Sequence, residues 1–417
     1  DLGYGDLHCY GRQDVQTPHL DRLAAEGLRF TDAYANGPEC TPTRVAFLTG
    51  RYQQRVGGLE CAIGTGNVGR YDDAIRLRET HDLGLPSEEM TISRLLAEHG
   101  YTTALFGKWH LGYEPKFSPD FHGFQFAKYC IGGGMDYFHY RDPAGWYNLY
   151  DRGQPIVAEG YFTDLIADWA VAFLRAEHPS PFFFYVPFTA PHAPYQAPGD
   201  DRGPLPPDSP LWNQSTAPPD VYRAMIERLD FAIGRILTAL DEAGLRENTL
   251  VIFMSDNGGT RSARNAPLSG YKGTTFEGGI RVPAMVRLPG RIPAGSISSE
   301  PCLTMDFTRS IAAIAGVAVP EDRPFDGIDI LNQVASGKPA RRTLFWRGRR
   351  GDGTWWGVRR GNWKYVRHRK GERTEEFLFD LATDIEESHN RLADYPEEAA
   401  VLKQSLVQWE EAVQAVR

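Results

Sequence analysis

The chain has 417 residues, with 45 Lys or Arg against 54 Asp or Glu, a formal net charge of −9. With 41% hydrophobic and 24% charged residues it is neither disordered nor fibrous, and its longest apolar run, around Phe182–Phe188, is far short of the roughly 18 residues of a membrane span. The acidic balance argues against general nucleic-acid affinity, and the five scattered cysteines (Cys9, Cys40, Cys61, Cys130 and Cys302) form no CxxC and no disulfide scaffold.

In chain order, helical patterns alternate with short apolar strands. Thr17 and Pro18 open a helix predicted over Pro18–Arg29. Met90–His99, closed by Gly100, is the next helix, and Thr102–Phe106 the first clear strand. Phe162–Glu177 reads as a helix and Phe182–Phe188 as a strand. Over Val221–Glu242, Val221, Met225, Leu229, Ile233, Ile236 and Leu240 recur every three or four residues, so one stripe faces a core. Leu250–Met254 is a third strand. This alternation predicts an α/β domain over residues 1–335, a mostly parallel sheet sandwiched by helices. The texture changes near Pro339. Arg341–Lys370 alternates like hairpins and is followed by FLFDLATD and a helix over Pro396–Val413. A smaller α+β C-terminal domain with an antiparallel sheet is therefore expected over residues 336–417.

The segment Cys40-Thr41-Pro42-Thr43-Arg44 opens a short apolar helix. Taken alone, its cysteine is as readily a buried small hydrophobe as a nucleophile. CTPTRVAFLTGRY, however, closely resembles the sulfatase signature C-x-P-x-R followed by Leu-Thr-Gly-Arg. Further segments resemble that family in the same order: DLGYGDLHCYG at Asp1, GKWHLG at Gly107–Gly112, TAPHAPYQAP at Thr189–Pro198, SDNGG at Ser255–Gly259 and GYKGTTFEGGIRVP at Gly270–Pro283. The resemblance covers essentially the whole chain and implies an alkaline-phosphatase-like fold. It also implies that a formylglycine-generating maturation enzyme converts Cys40 to formylglycine, whose hydrate is the nucleophile. Ca²⁺, or Mg²⁺ in its place, would then be held by Asp1, the modified Cys40, Asp256 and Asn257.

The chemistry of a sulfate ester asks for such a set. Attack by oxygen places more negative charge on the sulfate oxygens, so the site needs a hard cation, fixed positive side chains, a nucleophile and an acid for the leaving oxygen. The resemblance assigns Lys108 and Lys272 to the sulfate and Arg44 to the diol. His110 is assigned as base and His192 as acid. Singly, these residues are ordinary: an Asp-Asn after a strand is commonly a turn or cap, and a lone His commonly structural. Together they are specific. Lys108 and His110 on one extended segment would share a face, and Asp256 follows VIFM at a strand's carboxyl end, where α/β ligand sites sit. One departure stands out. The family's first metal segment carries two aspartates after an apolar strand, and Asp1 matches the second. One carboxylate and a central strand are thus expected ahead of Asp1, where this chain has a free amino group.

Two regions bear on the substrate. Twelve of the residues from Tyr113 to Tyr150 are aromatic, and 341–370 holds 11 Lys or Arg against Asp352 alone. They read either as core packing and a solvated hairpin face, or as a sugar-stacking wall and a track for an anionic polymer. The expected partner is a sulfated small molecule or oligosaccharide, not nucleic acid, and the resemblance favours a periplasmic or secreted setting. The alternatives are a phosphonate monoester or phosphodiester hydrolase on the same fold, and a non-catalytic binder of sulfated glycans.

Overall fold

The computed structural model describes residues 1–414. In its first sheet, Thr102–Lys108 pairs in parallel with Phe126–Cys130 and with Phe182–Tyr185, and Leu149–Asp151 and Gln154–Pro155 extend the sheet antiparallel. In the second, Leu28–Phe30 pairs in parallel with Ser296–Ser298 and antiparallel with Ala284–Arg287, whose other neighbour is Val251–Met254. A short parallel pair joins Ala33–Tyr34 to Cys302–Leu303. The α/β layering is as expected, with parallel and antiparallel pairing mixed in both sheets. Element order does not report strand direction. Helices Pro18–Ala25, Phe162–Arg175 and Pro219–Glu242 pack together as one layer, and Cys40–Thr49, Ile92–Glu98 and Thr304–Ile314 as another.

Local chemistry explains the adjusted boundaries. The long helix starts at Pro219, a residue suited to a first turn because its missing N–H is not needed there. The strand predicted to Phe188 ends at Tyr185, since Pro187 has no N–H for a ladder; its carbonyl accepts from the Lys108 N–H at 2.6 Å. Among the described residues, no helix is long and apolar enough to cross a membrane.

Phe182–Tyr185 and Val251–Met254 are edge strands of the two sheets. Both line a cavity of about 780 Å³, together with Leu229, Ile233 and Leu237 from one helical layer and Leu96 and Ile311 from the other. This is why all four residues of VIFM are only half-buried. Asp1 lies in the lining of the same cavity.

Thr343–Arg350, Gly353–Arg360, Trp363–Lys370 and Arg373–Asp380 form an antiparallel meander. Each two-residue turn begins with a glycine, Gly351, Gly361 and Gly371, at φ 60°, 58° and 56°, the left-handed geometry that tight hairpins need. Pro396–Ala412 covers one face through Leu402, Leu406 and Trp409. The basic stretch divides: Arg341, Arg350, Arg360, Arg369 and Lys370 are exposed, while the others are half-buried or buried. Seven of its 11 cations lie within 4.0 Å of a carboxylate. Arg342 pairs with Asp306, Arg347 with Glu60, Arg359 with Asp32 and Lys364 with Glu277, so these pairs dock the meander onto the preceding domain. Alternation along a strand could not distinguish a cation facing water from one facing another domain.

At the centre of this interface, Lys364 Nζ lies 2.7 Å from Glu277 and 2.8 Å from Glu387, all fully buried. Burial pushes the Glu387 carboxyl up to about 7, opposed by Lys364 and reinforced by Glu277; against its own burial, Lys364, Arg281 and Arg359 hold Glu277 near 2. Between the ordinary value of 4.5 and about 7 the folded protein keeps a proton on Glu387 that the unfolded chain releases. That contribution to stability is therefore present at low pH and lost as pH rises through 7. Glu387→Gln, which cannot ionise, is expected to gain melting temperature relative to the parent between pH 5 and pH 8. Parallel pH dependences would remove Glu387 as the titrating group.

Candidate active site

Cys40 is the first residue of the Cys40–Thr49 helix, capped by extended Glu39 and buried throughout. Free N–H groups at a helix start favour an anion placed there. The x-P-x spacing puts Arg44 one turn below Cys40 on the same face. From there its guanidinium grips Asp256 Oδ2 through Nε at 3.1 Å and Nη2 at 2.7 Å, and Nη1 donates to the Lys108 carbonyl at 2.8 Å. Lys108 ends its strand, and its Nζ lies 3.1 Å from Cys40 Sγ. Asp256 and Asn257 follow Val251–Met254 after one residue. The Asn257 amide donates to Asp1 Oδ1 at 2.9 Å, Lys272 Nζ lies 2.7 Å from the same oxygen, and the Asp1 ammonium lies 3.3 Å from Asp256 Oδ1.

The two histidines enter from loops. The strand ends before His110, so the expected shared face with Lys108 does not arise. Trp109 instead packs into the core, and His110 turns into the site at φ 60°. His110 Nε2 is 2.7 Å from the Ile63 carbonyl, which makes Nε2 the donor and leaves Nδ1, buried and without a partner, as an acceptor. His192 Nδ1 is 2.5 Å from the Ala193 carbonyl; its Nε2 faces Gln214 at 3.2 Å and Asp1 Oδ2 at 3.7 Å. Gly133 and Gly134 make room for both rings: a Cβ at Gly133 would come 2.6 Å from His110 Cε1, and one at Gly134 2.8 Å from His192 Nδ1.

The electrostatics follow from burial among cations. Burial lowers both imidazoles well below their usual range, with Lys108 adding to the effect at His110 and Lys272 and Lys108 at His192. Burial alone would raise Asp256, but the Asp1 ammonium and Arg44 hold it well below the usual carboxylate range. Burial also lowers Lys108 and the Asp1 ammonium. The donor set suits a hard divalent cation. Asp1 Oδ2 and Asn257 Oδ1 are buried oxygens without a hydrogen-bond partner, Asp256 is beside them, and ligand atoms of Asp1, Cys40 and His192 lie within 4.8 Å of one another.

The structure thus brings Asp1, Cys40, Arg44, Lys108, His110, His192, Asp256, Asn257 and Lys272 into one constellation. A cavity of about 480 Å³ opens above it, lined in part by Cys40, His110, His192 and Lys272. A family model described as sulfatase matches residues 1–317. The chain belongs to the sulfatase family. A second model, described as the C-terminal part of N-sulphoglucosamine sulphohydrolase, matches residues 271–414 of this sulfatase. N-acetylgalactosamine-6-sulfatase of Canis lupus familiaris is 34% identical over 368 residues, 83% of this chain and 66% of that protein. Arylsulfatase A of Homo sapiens is 33% identical over 389 residues, 83% of this chain and 68% of that one. The chain therefore spans about two thirds of the length of such relatives. Among solved structures, Ps i-CgsB in complex with k-i-k-neocarrahexaose has a TM-score of 0.84 at 30% identity, covering 98% of this chain and 90% of that one.

The cavity also contains residues that motif reading missed. Glu39, one residue before Cys40, accepts from the Ala62 N–H at 2.7 Å and from Arg350 at 3.1 Å. Gln214 links Lys272 and His192, and Arg70, Trp212, Arg261 and Tyr271 complete the mouth. Adjacency to Cys40 was the one available signal, and only for Glu39. The aromatic-rich stretch does not supply a wall: none of its twelve rings lines this cavity, and Phe117, Phe124, Tyr129, Tyr137 and Tyr140 are core residues.

Proposed function

We propose that this chain hydrolyses sulfate esters of carbohydrates. The observation that carries the reading is Cys40 at a helix start, 3.1 Å from Lys108 Nζ, in a cavity also lined by His110, His192 and Lys272. A carbohydrate substrate is favoured because the neighbour at 30% identity was solved with a hexaose and a relative is named for N-acetylgalactosamine. A divalent cation, Ca²⁺ or Mg²⁺, on Asp1, Asp256 and Asn257 would withdraw charge from the ester's oxygens, and Cys40 oxidised to formylglycine would supply the oxygen nucleophile.

Lys108 and Lys272 act as point charges toward the sulfate oxygens. Arg44, anchored on Asp256 and the Lys108 carbonyl, holds the helix start and the Lys108 strand end together. His110 offers Nδ1 as a proton acceptor. His192 presents Nε2 to the leaving oxygen, and an anionic ester between Lys272 and Lys108 offsets the charges that depress it, moving it toward the protonated form that an acid needs. His192→Ala is expected to cost roughly 10²- to 10⁴-fold on a sugar sulfate and far less on 4-nitrophenyl sulfate, whose phenolate leaves without a proton. Equal losses on both would take the acid role from His192. The reading itself is tested by co-expression with a formylglycine-generating enzyme, mass spectrometry of the Cys40 peptide, and measurement of sulfate released from sulfated oligosaccharides. Modification with sulfate release is the expected result. Faster turnover of a phosphonate monoester, or binding without release, would overturn it.

A further inference from the structure

The active-site cavity holds more positive charge than one sulfate ester can use. Arg70, Arg261, Lys272 and Arg350 line it against the single carboxylate of Glu39, in a chain whose formal charge is −9. Lys272 contacts Asp1 and is assigned to the scissile sulfate, and Arg350 pairs with Glu39. Arg70 and Arg261 differ. Among the described residues, neither has a carboxylate within 4.0 Å. Arg70 Nε is buried with no hydrogen-bond partner, and the Arg70 carbonyl accepts from the N–H of Gly351, next to Arg350. The Arg261 guanidinium sits 3.8 Å from the centre of the Tyr271 ring and donates to that hydroxyl, so a fixed platform orients it.

Arg261 is exposed and pre-oriented on Tyr271, whereas for half-buried Arg70 a guanidinium without a counter-ion is costly unless a ligand supplies one. Its planar fork matches a carboxylate or a sulfate better than it matches neutral hydroxyls. The two arginines come from the loops that also supply Ile63, the partner of His110, and Lys272, so an anion between them would lie close to the ester being cut. We propose that the substrate carries a second anionic group, a sulfate or a uronate carboxylate, beside the scissile ester, and that Arg70 and Arg261 bind it. This rests on the hydrolase reading and narrows its substrate class.

The test uses three disaccharides that share one sulfate ester: one otherwise neutral, one with a second sulfate, and one with a uronate neighbour. The matured protein and its Arg70→Met, Arg261→Met and Arg261→Lys forms are compared on each. Each methionine variant is expected to lose roughly ten- to a hundred-fold in kcat/KM on at least one dianionic sugar and no more than about threefold on the neutral one, with partial rescue by lysine. Which dianion responds identifies the group as sulfate or carboxylate. Because Arg261 is exposed, its variants keep the test valid if Arg70→Met fails to fold. Equal losses on all three sugars, or none, would overturn the proposal. Calorimetric binding of the same sugars separates the two readings. Arginine-dependent preference for a dianion without any turnover would sink the hydrolase reading and leave the subsite standing, whereas turnover without that preference would do the reverse.

Discussion

Replacing Cys40 with alanine is expected to lower sulfate release by roughly 10⁴- to 10⁶-fold, the scale seen when an enzyme's nucleophile is deleted. Cys40 is 1% exposed and receives a hydrogen bond from the Lys108 ammonium. The substitution removes one sulfur and leaves the helix start, the Arg44–Asp256 pair and the Asp1–Lys272 contact in place. Its melting temperature should therefore stay within a few degrees of the parent's, so that loss of activity reports chemistry and not unfolding. Sulfate release and thermal melting on the same preparation check both halves. Turnover at the parent rate would place the nucleophile elsewhere and dissolve the roles given to His110 and His192.

The second large effect concerns the cavity between the two sheets. An aspartate preceded by an apolar strand, added ahead of Asp1, is expected to raise both thermal stability and Ca²⁺ affinity. The edges Phe182–Tyr185 and Val251–Met254 offer backbone partners on either side of a cavity of about 780 Å³. Each fully buried aliphatic side chain contributes about 1.5–3 kcal/mol, and ordering each residue costs about 1–2 kcal/mol, so at mid-range values three or four such residues leave a net gain of about 2–3 kcal/mol. That corresponds to several degrees in melting temperature. At the site, the ammonium now 3.3 Å from Asp256 becomes a neutral peptide group and a carboxylate is added beside it. Both changes favour a divalent cation. Calcium titration calorimetry and melting of the two forms decide the matter, and identical values would mean that this cavity does not accept a strand.

Much of the candidate constellation is legible in the sequence because its motifs are local. C-x-P-x-R places Cys40 and Arg44 one helical turn apart whatever surrounds them. A buried strand followed at once by Ser255-Asp256-Asn257 puts oxygen donors at a sheet's carboxyl end. The Lys108–His110 pair was found for a reason that does not hold in the fold: the strand stops at Lys108, and a left-handed His110 stabilised by Ile63 and Gly133 reaches the site instead. The aromatic and basic stretches left two readings open because composition reports what a segment contains and not what it faces. Tyr129 and Tyr140 face the core, and Arg347 and Arg359 face carboxylates of the preceding domain.

The sequence by itself determined the family and the layered α/β class, and it singled out the candidate nucleophile, the candidate cationic side chains and the candidate cation-binding oxygens, because each rests on short-range spacing. Only the tertiary structure decided what surrounds them. Glu39 meets Arg350 from 311 residues away, Gln214 bridges Lys272 and His192, and Arg70 and Arg261 line one cavity without carboxylate partners among the described residues. These contacts join loops that have no periodicity of their own, and their energy depends on burial and charge that arise only once distant segments pack together.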